Sequence, residues 1–107
     1  MADLKNITAQ VKEIMEKDKA ARNSDNLLYL RVYEQHCREI SMHPWALSTN
    51  CFLENMQKYG FPPFESVRRA RQKVQRKYPE LAADKAVQDK RAAQQREYLN
   101  YARSDAL

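Results

Sequence analysis

GFPPFESVRRARQKVQRKYPEL, residues Gly60 to Leu81, decides the fold, because it holds a helix stop, a turn, an amphipathic helix and a second stop. Gly60, the one glycine of the chain, stands where a helix ends on a residue free to take positive φ. Phe61-Pro62-Pro63 redirects the backbone, and Pro79 stops the following helix after Tyr78. Between the stops, Val67, Ala70, Val74 and Tyr78 share one helix face, which points to a core. Arg68, Arg69, Gln72, Lys73 and Arg76 occupy the opposite face. Arg71 borders the apolar stripe, where it snorkels or pairs with an internal acid.

Working outward, a preceding helix is expected from Pro44 to Tyr59, with Ser41 as its capped start and Trp45, Leu47, Cys51, Phe52 and Met56 buried. Ser24 or Asp25 caps a broader apolar helix carrying Leu27, Leu28, Leu30, Val32, Tyr33 and Cys37. Asp3 caps a first helix with Leu4, Ile7, Val11, Ile14 and Met15 on one stripe, ended by the polar stretch Asp18 to Ser24. After Leu81 the composition shifts to Ala, Gln, Lys, Arg and Asp. Residues 84–103 read as a long, weakly amphipathic helix that packs by its tyrosines and frays at its end. The expected fold is all-α, a compact bundle of about four helices. Residues 1–81 form the core domain, with a helix-turn-helix-like pair at about 44–78, and 82–107 the C-terminal helix.

The 107 residues are 43% hydrophobic and 31% charged, enough for one modest core without staples. Met1-Ala2-Asp3 opens no apolar leader and no apolar run is long enough to span a bilayer, so a cytoplasmic protein with no membrane partner is expected. Cys37 and Cys51 are expected as reduced thiols. The net charge is +5, and Arg68 to Lys77 alone supply six basic side chains and no acid, while the flanking segments are close to neutral. So concentrated a field attracts a polyanion. Glu65 is the one local acid able to pair with Arg68 and Arg69, which leaves most of the run unneutralised.

No catalytic constellation accompanies this charge. His36, Cys37, His43 and Cys51 lack zinc-site spacing, one glycine allows no phosphate-cradling loop, and no G-x-S-x-G, H-E-x-x-H or P-loop pattern occurs. Neither enzyme activity, nor a metal, nor a cofactor is expected. Tyr59, Tyr78, Tyr98 and Tyr101 have ring faces of the kind that stack on exposed bases, but three of them fit packing stripes, which favours core or docking roles. Val87, Tyr98 and Tyr101 form a thin stripe suited to a homodimer.

A helix ending at Gly60, a turn and a second helix with outward Arg and Gln is the element order of a helix-turn-helix. Met56 stands where that motif usually carries a small residue, and Phe61-Pro62-Pro63 lengthens the turn. The Gly60–Leu81 stretch also resembles a motif of small phage and prophage proteins of Gram-positive bacteria. Gly60, Pro63, Phe64, Val67, Arg68, Arg69, Arg71, Gln72 and Lys73 match that pattern. A looser similarity covers LLYLRVYE and the closing REYLNYAR. The resemblance implies a phage-associated product acting inside a bacterial host cell. The sequence thus points to a phage-associated protein that binds double-stranded DNA through Arg68, Arg69, Gln72, Lys73 and Arg76, in transcriptional control or replication. The alternative is an interaction protein that turns the same helix on an acidic host protein, as nuclease inhibitors and anti-CRISPR proteins do.

Overall fold

The computed structural model describes residues 4–105, with side chains over 7–102; these residues form six α-helices and two 3-10 turns, without a strand. The helices are α1 (Leu4–Lys17), α2 (Lys19–Asn23), α3 (Asp25–Glu39), α4 (Thr49–Asn55), α5 (Phe64–Lys77) and α6 (Lys85–Asp105). The all-α class therefore holds, with more and shorter helices than a four-helix bundle. No helix among the described residues is long and apolar enough to cross a membrane.

Ile7, Val11, Ile14 and Met15 of α1 are buried, and they meet Val67, Ala70 and Val74 of α5 together with Leu28 and Val32 of α3. Tyr78 packs against the same cluster, and its ring lies 4.6 Å from the Lys12 ammonium. Each fully buried aliphatic side chain of this kind contributes about 1.5–3 kcal/mol of transfer free energy. The cluster explains why α5 is fixed. One face is locked into α1 and α3, so the other must face solvent.

The first helix ends at Lys17, as expected, but within the polar stretch Asp18 to Ser24 residues Lys19–Asn23 form a short helix of their own between two extended caps. Asp18 accepts from the Ala20 N–H to cap α2, and Ala21 is fully buried in the main cluster. Ser24 then caps α3 by accepting from the Leu27 N–H. A single buried alanine on a five-residue helix gives no readable periodicity.

The expected helix over 44–59 is broken. Ser41 is not its cap but the left-handed residue, at φ 57°, that ends α3, with the Met42 N–H bonded to the Cys37 carbonyl and the Ser41 N–H to Arg38. Pro44–Ala46 makes only a 3-10 turn, Leu47 is extended, and Ser48 restarts the helix by accepting from the Cys51 N–H. Trp45, expected in the core, is 90% exposed. Phe52 does hold α4 to the body, within 5.2 Å of the Tyr33 ring and 5.0 Å of Phe61.

Gly60 takes φ 76° and closes the segment with the same pair of hydrogen bonds seen at Ser41, Phe61 N–H to Met56 and Gly60 N–H to Gln57. Phe61 is thereby turned inward, where it stacks on Tyr33 and meets His36 edge-on at 4.6 Å. Cys37 is buried and Cys51 half-buried, both as free thiols.

Beyond the second 3-10 turn, Pro79–Leu81, the chain starts α6 from a reciprocal clasp in which Asp84 N–H donates to Asn23 and Asn23 donates to the Asp84 carboxylate. The expected packing by tyrosines does not occur: Tyr98 is 71% and Tyr101 68% exposed. Among the described residues every buried one lies between Ile7 and Ala83, so α6 leaves the core as an arm. The helix runs on to Asp105, past the expected end at 103, and the last two residues, 106–107, lie outside the described residues.

Candidate nucleic-acid interface

The α5 cations divide by environment. Arg71 is only 7% exposed, and its guanidinium donates from Nε to Asp25 Oδ1 at 2.7 Å and from Nη2 to Oδ2 at 3.1 Å. It is a structural charge pair, unavailable to a ligand. Arg68 is half-buried and grips both oxygens of Glu65, at 2.7 and 3.0 Å, while Arg69 reaches the same carboxylate at 3.3 Å. The Arg68 hydrogen bonds hold the Glu65 carboxyl below its ordinary pKa, and Glu65 in turn raises that of Arg68. Ion pairs this exposed add little stability. They do lower the local positive potential.

Gln72, Lys73 and Arg76 are exposed, and Lys73 and Arg76 meet no acidic partner among the described residues. Arg69, Lys73 and Arg76 sit at i, i+4 and i+7, so they form one ridge along the outer face. The five residues singled out by the sequence thus share one side of α5. Its support comes mainly from α1 and α3, with α4 contributing less contact than a helix-turn-helix scaffold helix normally does.

One part of this surface was not legible in the sequence. Between α5 and α6 lies an open cleft of about 860 Å³, into which α5 presents Arg68, Arg71, Gln72 and Gln75. The facing stripe of α6 contributes Gln88, Arg91, Gln95 and Tyr98. Both stripes follow i, i+3/i+4, i+7 spacing and are polar, so the two helices have no apolar seam to draw them into the usual 8–10 Å packing. The cleft is the direct consequence of writing Gln and Arg where a packed helix pair has Leu and Ala.

Its floor is stitched. Asp25 holds Arg71 and lies 4.0 Å from the Arg91 guanidinium, which also donates to the Arg22 carbonyl at 3.3 Å. Burial, followed by repulsion from Arg71, lowers the Arg91 pKa, and Asp25 opposes the shift. Gln75 spans from the Arg22 carbonyl to the Leu81 carbonyl at 3.1 Å each. In the sequence Arg91 falls within the thin stripe formed by Val87, Tyr98 and Tyr101, a charge where a packing face would be apolar.

No protein-family model, curated protein or solved structure matches the chain.

Proposed function

We propose that this is a phage-associated DNA-binding protein, in gene control or replication, whose contact element is the outer face of α5. The observation that carries the reading is the ridge Arg69, Lys73 and Arg76, exposed on a helix whose opposite face is locked into the core. A rigid helix with an outward row of long cations and an interleaved amide suits phosphate contact along the row and a base-edge contact at Gln72. Helix α4, the turn at Gly60–Pro63 and α5 supply helix-turn-helix order, with α1 and α3 taking over much of the supporting role. Phosphates would supply most of the affinity.

Duplex binding followed by fluorescence anisotropy across a salt series tests this. With three to five phosphates engaged, log affinity falls against log salt with a slope of about −3 to −4.5. Arg69→Ala with Arg76→Ala should flatten that slope by about 2 while leaving the fold intact. A response independent of salt, or binding untouched by the double substitution, would sink the reading. Capture of an acidic host protein that survives nuclease treatment, without any duplex binding, would favour the interaction-protein alternative.

A further inference from the structure

We propose that the cleft between α5 and α6 seats an unstacked nucleotide of single-stranded nucleic acid, with its base on Tyr98 and its phosphate outward at Arg68. This rests on reading α5 as the nucleic-acid surface, and it adds a second wall and a strand preference to it. The cleft, at about 860 Å³, falls in the range of pockets that take small organic groups.

Its chemistry is graded from floor to mouth. At the floor Asp25 takes both Arg71 hydrogen bonds and lies 4.0 Å from Arg91, whose Nη1 donates to the Arg22 carbonyl, so the net single positive charge there is carried by donors already engaged beside a carboxylate that repels phosphate. At the mouth stand Arg68 and the amides Gln72, Gln94 and Gln95, none of the amides with a hydrogen bond to another described residue. Tyr98 lies alongside them, 71% exposed. Arg68 can exchange Glu65 for a phosphate with little loss, because an exposed pair is weak. Amide groups donate and accept together, which matches the mixed edges of nucleobases. An exposed tyrosine ring provides a stacking platform.

A duplex cannot use this arrangement. Paired bases show their edges in the grooves but hide their faces in the stack, whereas the Tyr98 ring requires a free face. An acidic peptide would use the arginines and could pair its backbone with the amides, but its carboxylates have no use for the Tyr98 ring face, which a base fills. The combination therefore selects a single strand that runs from the α5 ridge over the rim of the cleft.

The test uses the full-length protein with a fluorescein-labelled 12-nucleotide mixed-sequence DNA strand and, separately, the corresponding duplex, both at low salt. Tyr98→Ala should weaken single-strand binding by about 10-fold, the usual scale for one stacked base, while duplex binding changes less than about twofold. Tyr98→Phe should retain single-strand affinity, since the ring face is kept. Tyr98 lies on an exposed arm, so loss of the fold cannot account for a defect, and unchanged circular dichroism verifies this. Single-strand affinity unaffected by Tyr98→Ala, or both ligands weakened equally, would overturn the cleft assignment. In that case duplex binding that still depends on Arg69 and Arg76 leaves the α5 reading standing. Failure of both ligands to bind, with polyglutamate binding instead, would overturn both.

Discussion

Asp25 is the residue on which the basic surface depends, though it carries the opposite charge. Its carboxylate pairs with buried Arg71 and faces Arg91, so removing it leaves two guanidinium groups close together with no counter-charge. Asp25→Ala is expected to cost about 3 kcal/mol, read as a lower urea midpoint with the slope unchanged. Arg71→Met together with Asp25→Leu should recover much of that, because the penalty belongs to the unpaired charge. Tyr29 and Tyr33 set the alkaline limit. Burial pushes both phenols up to about 12, with Cys37 adding to the effect at Tyr33, and each hydroxyl donates to a proline carbonyl at 2.7 Å, Pro62 and Pro44 respectively. Their folded pKa lies above the unfolded value near 10, so their contribution is complete below about pH 10 and disappears as pH rises toward 12. A pH titration of the thermal midpoint should fall in that window. Tyr29→Phe should flatten part of the fall at the cost of a lower midpoint at neutral pH, since the Pro62 carbonyl loses its donor.

Among the elements, α1 and α5 were legible because each keeps its apolar residues on one stripe for four turns. The Val67, Ala70 and Val74 face read from periodicity is the face that is buried. Residues 44–59 misled for a physical reason: Pro44 and Trp45 look like a helix start, but the extended Leu47 and the Ser48 cap divide the segment, and no neighbouring element covers Trp45. That the five α5 residues of the candidate surface lie on one side of the helix was readable from helical periodicity, whereas the cleft needed the course of α6, which local pattern does not encode. The Asn23–Asp84 clasp and the Arg91 contacts tie helix α6 down near its start, and from Gln94 to Ala102 every described residue is exposed. Native-state hydrogen exchange should separate the elements accordingly. Amides of α1, α3 and α5 should exchange through global unfolding and respond strongly to denaturant. Those from Gln95 to Ala102 should exchange by local fraying, with little denaturant dependence. Equal protection of α5 and α6 would mean that the arm packs along its length.

At the scale of the whole molecule, the arm makes the protein larger than its length requires. The Cα radius of gyration is 15.7 Å, against about 13 Å for a compact chain of this size, and the principal extents are 47 × 36 × 23 Å. The arm also carries the exposed Tyr98, Leu99 and Tyr101, the part of the molecule where self-association was suggested by sequence. Two aromatic rings and a leucine at these exposures offer on the order of 400 Å² of side-chain surface per chain. Two such patches fall short of the roughly 1,200 Å² that a specific dimer buries, and Val87 is already half-covered. Small-angle scattering at rising concentration should therefore give a forward intensity for a 12.6 kDa monomer and a radius near 16 Å throughout. A mass that doubles with concentration, and returns to the monomer in Tyr98→Ala with Tyr101→Ala, would assign the arm to dimerisation. A radius near 13 Å would place α6 back against the body, closing the cleft.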